Sequence, residues 1–345
     1  MIFCNPVTII FGCGSRKQLF DFVESNNSIL ICSESGFARI NNDPMLNRIQ
    51  NKIAETINVD SATDLDVLKT IKLPSKTQTI VAIGGGSVVD SAKIIKYFNN
   101  SQSKLICVPT TAGTGSEVTP YATAWDYKSY QKVGFTDLYA DTSIVDPEMT
   151  YDLPTEFAIA SGLDAINQAF ESIWNVNNSV ITEPLATRAI QMGLSSIVNL
   201  EDRKNKNNMC LASLLSGLCI SQTKTAICHS ISYPLTVRYG IPHGIACAFT
   251  MAEVFKYNSD RDDGRLLNLS RTLMGNKSIN RDLYNLLKNL CQNSKVYDTV
   301  RDKMKSENNL LELLSDMYTP ERAKNNMNII RMNDIRDIVI KSWNS

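Results

Sequence analysis

Histidine is nearly absent from this chain. Two occur in 345 residues, His229 and His243, so any chemistry that needs an imidazole runs through those positions. Net charge is missing too: 35 Lys and Arg balance 35 Asp and Glu, which leaves no field to gather nucleic acid or an anionic membrane surface. No window reaches the roughly 20 apolar residues of a membrane-spanning helix. The opening Met1–Ser15 has no basic stretch ahead of a continuous apolar run, so the expectation is a protein that stays in the cytoplasm. Its expected partner is a small molecule, with neither nucleic acid nor membrane, and a homodimer is left open. The nine cysteines, from Cys4 to Cys291, include no C-x-x-C pair and sit mostly among Ile, Val, Leu and Ala. Buried thiols in a reducing compartment fit that pattern better than a disulfide framework or a zinc cage.

The length suits two domains with a cleft between them better than one core. Up to about residue 150, short β-rich runs alternate with helical patterns: Val7–Phe11, Ser28–Cys32, Thr79–Ile83, Lys104–Val108 and Thr142–Val145. Strand, turn and helix in succession predict a largely parallel sheet with helices on its faces. From Pro154 onward strand signals nearly vanish, and apolar residues recur at helical spacing in Phe157–Trp174, Ile181–Ile197 and Cys210–Ile220. Residues 1–152 are therefore expected to form an α/β domain and 153–345 a helical one. The tail from Gly264 reads as amphipathic helices with solvated faces.

Ile80–Lys93, IVAIGGGSVVDSAK, is a buried strand followed at once by Gly84, Gly85 and Gly86, then Ser87, Asp90 and a helix opening. Glycines let a backbone approach a diphosphate, and the N–H groups of a new helix bind its charge. A tight strand-to-helix turn would use the same glycines, so this segment alone leaves both readings open. A second segment follows the next strand with Thr110, Thr111, Thr114 and Ser116 among further glycines. Two such loops at the carboxyl ends of one sheet mark a ligand crevice. Glu34, just past the strand ending at Cys32, is placed to accept from ribose hydroxyls and to repel a 2′-phosphate, which favours NADH over NADPH.

GGGSVVDSAK, PTTAGTGSEVT, the Asp146-Pro147 turn, Gly162-Leu-Asp164-Ala, and His229 with Pro242-His243-Gly244 together resemble the iron-containing, or group III, alcohol dehydrogenase family. The opening Asn5-Pro6 and Phe11-Gly12-Cys13-Gly14 fit the same family, and the resemblance runs in order over roughly residues 5 to 255. It implies an N-terminal α/β dinucleotide-binding domain, an all-α C-terminal domain of dehydroquinate synthase-like architecture, and a metal and substrate cleft between them. It also implies NAD or NADP, and a divalent metal, iron or zinc, held by one aspartate and three histidines. Asp164, His229 and His243 match three of those ligands. The remaining histidine belongs four residues after the aspartate, one helical turn on, where this chain has Gln168. A glutamine oxygen is a poorer donor than imidazole, so the expectation is a weakened site or one without metal, with Gln168 either ligand or packing residue. Lys132 matches the lysine that reaches the cofactor near its nicotinamide ribose, or is a surface lysine.

Tyr233 stands where many family members carry another histidine, and either donates a proton or hydrogen bond to a developing alkoxide or packs as an aromatic. Lys224, about one and a half helical turns before His229, and Arg238 between the two histidines are suited to an anionic substrate, or are solvated charges. The phrases around Glu171–Asn175, Ser221–Thr225 and His229–Thr236 resemble the phosphonoacetaldehyde reductase branch, which implies reduction of phosphonoacetaldehyde to 2-hydroxyethylphosphonate. The alternatives are a neutral or phosphorylated aldehyde or ketone, a lyase or cyclase like dehydroquinate synthase, and a metal-free nucleotide-binding relative, kept open by Gln168.

Overall fold

The computed structural model describes residues 3–24, 26–60, 64–129 and 131–345. Six strands make the main sheet: β1 (Thr8–Phe11), β2 (Ser28–Cys32), β3 (Ile53–Asn58), β4 (Thr79–Gly84), β5 (Lys104–Pro109) and, after two strands outside the sheet, β8 (Thr142–Val145). Their order is β1-β8-β5-β4-β2-β3, and every pairing is parallel. β2 and β4 are buried along their whole length, which is why each reads as an unbroken apolar run rather than an alternation. The two-residue period still sorts their side chains. Ile29, Ile31, Ile80 and Ala82 face one core with Val88 and Ile95. Leu30, Cys32, Val81 and Ile83 face the other with Leu19 and Ile40.

Three strands lie outside the expected set. β3, Ile-Ala-Glu-Thr-Ile-Asn, is an edge strand with half its residues polar, so it lacks the buried-run signature. β6 (Ala122–Asp126) and β7 (Gln131–Phe135) form a separate antiparallel hairpin in which Trp125 pairs with Lys132. Among the helices, α1 (Glu34–Asn42) follows β2 and α2 (Gly86–Phe98) follows β4. The helical half begins with α3 (Thr155–Ile173), α4 (Thr182–Ser196), α5 (Arg203–Thr223), α6 (Ile227–Tyr239) and α7 (His243–Ala248). α3 is buried continuously from Gly162 to Ile173, as befits a helix surrounded by others.

The halves meet at the loop after β5. A Cβ on Gly115, whose φ is +60°, would lie 2.5 Å from the Gly217 Cα on α5, and one on Gly113 would crowd Ser161 on α3. These glycines let the loop lie flat against the helical half, so the carboxyl edge of the sheet faces α3 and α5 directly. Seven cysteines are buried as expected, whereas Cys4 and Cys13 are exposed. Among the described residues no helix is long and apolar enough to cross a membrane.

Candidate metal and cofactor site

Asp164 lies on α3, His229 on α6 and His243 at the start of α7. α7 opens where Gly244 presses on α3: a Cβ there would sit 1.8 Å from the Ala160 carbonyl oxygen. Only glycine permits that approach, and it brings His243 to the level of Asp164. One ligand atom from each of Asp164, His229, His243 and Cys247 lies within 4.8 Å of the others. Asp164 and His229 are 3% and 4% exposed, and Cys247 is fully buried.

Two atoms of this cluster fit a cation. Asp164 Oδ1 and His229 Nε2 are buried without a hydrogen-bond partner, a costly state for polar atoms unless something else satisfies them. They stand 3.4 Å apart, close to the roughly 3.3 Å at which two donors with bonds of about 2.0 Å share a tetrahedral ion. Glu171 supports the arrangement from behind. His229 Nδ1–H donates to its Oε2 at 2.7 Å, and the amides of Ala226 and His229 donate at 2.7 and 3.2 Å. That bond fixes the tautomer and leaves Nε2 facing Asp164.

The charges are mutually dependent. Burial opposes the charge on His229, but Cys247, Glu171 and Asp164 outweigh it and hold the imidazole well above its usual value. Burial likewise opposes ionisation of Asp164 and Glu171, yet His229 holds both below the usual carboxylate range, assisted by His243 at Asp164. Burial would raise the Cys247 thiol, while His229 and His243 bring it down to about 6. An anionic pocket that draws in a proton is equally suited to a divalent metal.

Gln168 lies one turn beyond Asp164, but its side-chain oxygen accepts from the Ser216 hydroxyl at 3.3 Å. The same hydroxyl has a nearer acceptor in the Ser213 carbonyl at 2.9 Å, and an amide oxygen keeps a second lone pair. Tyr233 stacks on His243 with ring centroids 6.3 Å apart and planes 12° from parallel. Lys132 Nζ lies 4.4 Å from the Tyr233 ring centroid and the Arg322 guanidinium 5.6 Å from it. Burial would raise the phenol, but Arg322, Lys132 and His229 outweigh it and hold it below the ordinary tyrosine value. Neither Arg322 nor Lys132 has a carboxylate partner within ion-pair distance among the described residues. Lys224 caps the end of α5 at φ 65° with its side chain exposed, and its carbonyl accepts from Asn175. Arg238 is paired with Asp316 on a half-exposed surface.

The glycine row and the second loop come together at the carboxyl ends of β4 and β5. Thr110 N–H donates to the Gly84 carbonyl at 2.9 Å. A Cβ on Gly85 would meet Thr111, and one on Gly86 would lie 2.5 Å from Thr114 Oγ1. Gly85 offers no side chain to cap α2, so the first amides of a 13-residue helix, beside exposed Ser87, remain free for an anion. Asp90 takes another part: it accepts from the Ser116 hydroxyl and from Thr123 N and Oγ1, both at 2.9 Å. Lys93 Nζ, fully buried, donates to the carbonyls of Ser116, Thr119 and Tyr121 at 2.6–2.8 Å. Asp90, Lys93 and Ser116 thereby brace the loop whose glycines touch the helical half. Glu34, exposed in the first turn of α1, follows β2, the strand next to β4, at the place where the strand order reverses. A separate concavity of about 560 Å³, lined by Leu73, Gln78, Asn100 and Lys104 among others, is at the opposite ends of β4 and β5.

Glu171, Cys247 and Arg322 are the residues that sequence reading missed. Cys247 follows His243 by one helical turn, the same spacing that singled out Gln168. Glu171 lies two turns beyond Asp164 on the same face of α3. Arg322 had no local signal, because the tail that carries it reads as solvated helix.

Both halves match known family models. Residues 6–147 match the model described as iron-containing alcohol dehydrogenase, and residues 158–343 match the C-terminal part of the Fe-containing alcohol dehydrogenase family. The NADPH-dependent butanol dehydrogenase of Clostridium saccharobutylicum is 27% identical over 337 residues, 88% of this chain and 86% of that one. The phosphonoacetaldehyde reductase of Streptomyces viridochromogenes is 31% identical over 213 residues, 53% and 54% of the two chains. A crystal structure of sulfoacetaldehyde reductase from Bifidobacterium kashiwanohense in complex with NAD+ shares the fold, with TM-score 0.86, 23% identity and coverage of 100% and 99%. With both halves matched in order and one fold shared along the whole chain, this protein belongs to the iron-containing alcohol dehydrogenase family of oxidoreductases.

Proposed function

We propose that this chain reduces a small aldehyde carrying an anionic group, with phosphonoacetaldehyde as the first candidate and NADH as the hydride source. The observation that carries this reading is the pair of cations around Tyr233. Arg322 is half-buried and has no acidic partner among the described residues, one ring away from the His243 ligand. An unpaired guanidinium in that position is suited to a phosphonate or sulfonate, which it can grip with two hydrogen bonds. The similarity to a phosphonoacetaldehyde reductase, and the fold shared with a sulfoacetaldehyde reductase bound to NAD+, support the same substrate class.

Bound at this site, a divalent metal supplies Lewis-acid polarisation of a carbonyl oxygen, and reduced nicotinamide supplies the hydride. Asp164, His229 and His243 would hold the metal, and Glu171 holds His229 in the ligating tautomer. The amides opening α2 would hold the cofactor diphosphate, and Lys132, between Trp125 and Tyr233, would reach toward the nicotinamide end. Glu34 favours NADH by repelling a 2′-phosphate. The Tyr233 hydroxyl, its acidity raised by neighbouring cations, holds a proton suited to the alkoxide that hydride addition creates. Lys224 and Arg238 remain candidates for the anionic tail, but one is exposed at a helix end and the other is paired with Asp316.

The test is turnover of reduced cofactor by metal-loaded protein, with phosphonoacetaldehyde beside a neutral aldehyde of similar size. A charged hydrogen bond is worth about 1.5–3 kcal/mol, so Arg322→Leu is expected to raise KM for the phosphonate about 10- to 100-fold while sparing the neutral aldehyde. Preference of the native enzyme for the neutral aldehyde, with no effect of Arg322→Leu, overturns the anionic substrate and retains the dehydrogenase.

A further inference from the structure

We infer that the fourth metal ligand in this chain is the thiolate of Cys247, which takes the place left by the histidine missing at position 168. This deepens the reading above, because it rests on a metal at Asp164, His229 and His243. Two helices cross at the contact between Gly244 and Ala160, and each presents a pair of side chains one turn apart: Asp164 with Gln168 on α3, His243 with Cys247 on α7. On α3 the second position is a neutral amide, a poorer donor than imidazole or thiolate, with its oxygen 3.3 Å from the Ser216 hydroxyl. On α7 the second position offers sulfur. Cys247 Sγ lies 3.7 Å from His243 Nε2, and metal bonds of about 2.3 Å to sulfur and 2.0 Å to nitrogen place tetrahedral donors roughly 3.5 Å apart. The buried Asp164 Oδ1 and His229 Nε2, unpartnered in the same cluster, supply the remaining donors.

The exchange changes the charge and softness of the site. One carboxylate with three imidazoles leaves a divalent ion a single positive charge, whereas carboxylate, two imidazoles and thiolate neutralise it. Thiolate also moves selectivity away from iron(II) and toward zinc and cobalt. The count of protein donors stays at four while their chemistry shifts. Gln168 is then one half of a paired change in the donor set, rather than the mark of a lost site.

The decisive measurement is spectroscopic. Chelator-treated protein is titrated with Co2+ and its absorption recorded, because only a thiolate ligand produces an intense near-ultraviolet charge-transfer band beside the weak visible bands of tetrahedral cobalt. The native chain is expected to show that band, as is Cys228→Ser, which removes the thiol adjacent to His229. Cys247→Ser is expected to lose the band and to weaken cobalt binding by more than the roughly 10- to 100-fold that loss of an outer-shell partner costs. The double variant Gln168→His with Cys247→Asn should recover binding without the band. Stoichiometric cobalt without a charge-transfer band in the native chain, or a band that persists in Cys247→Ser, overturns the thiolate and leaves the reductase reading intact. Failure to bind either Co2+ or Zn2+ overturns both.

Discussion

The cofactor edge and the ligand cluster are built by opposite means. At the carboxyl edge of the sheet the groups offered to a ligand are backbone amides, and the neighbouring side chains hold loops together: Asp90 to Ser116 and Thr123, Lys93 to three carbonyls. In the cluster every ligating atom belongs to a side chain, and the backbone only sets how closely α3 and α7 approach. A backbone site needs its shape kept. A side-chain site can keep its shape and still exchange one donor for another, as positions 168 and 247 illustrate.

The largest effect should come where the cluster depends on backbone after all. Gly244→Ala puts a carbon 1.8 Å from the Ala160 carbonyl oxygen, and neither helix backbone can yield without moving His243. A misplacement of about 1 Å costs on the order of 100-fold in rate, and this overlap demands more. Turnover should fall at least that far and bound metal should be lost, while fluorescence titration finds NADH affinity unchanged. Retention of metal in Gly244→Ala would show that the approach of the helices does not place the ligand.

A smaller loss is expected from Glu171→Gln. The amide keeps the shape but loses the charge that sets the His229 tautomer, so zinc affinity should fall about 10- to 100-fold. Competition with a chromogenic chelator measures it. Cofactor binding should stay as it was, which separates the two regions; a parallel loss of NADH affinity would join them.

How much of this could be read in advance follows the same division. The glycine row, the loop after β5 and Glu34 lie in contiguous segments, where strand, turn and helix opening announce one another, and the structure brings Gly85 against Thr111 and Gly86 against Thr114. β3 and the β6–β7 hairpin escaped because an edge strand and a half-buried hairpin lack the continuous buried run. In the cluster, Asp164, His229 and His243 are legible from family motifs, whereas Cys247 reads as one more buried thiol among apolar residues. The helical period that exposed the departure at Gln168 applies to His243 and Cys247 with equal force. Arg322 reaches Tyr233 only through the packing of distant helices, and no local pattern encodes that.

The smallest expected effect falls on the cofactor edge, and on stability rather than turnover. Glu117, in the loop braced by Lys93, is pushed up to about 7 by burial, against the smaller opposing pull of its own backbone hydrogen bond and Lys93. Between the ordinary carboxylate value and about 7, the folded chain keeps a proton on Glu117 that the unfolded chain has released. Stability therefore falls as pH rises through that window, because the folded state binds more protons. Glu117→Gln carries no such proton and should flatten the slope, so that urea melts at pH 8 favour the variant by about 1–3 kcal/mol while melts at pH 5 nearly coincide. A native chain that gains stability from pH 5 to pH 8 relative to Glu117→Gln would mean that Lys93 holds Glu117 ionised. The loop would then be braced by a buried ion pair, and the cofactor edge would depend on side-chain charge as the metal cluster does.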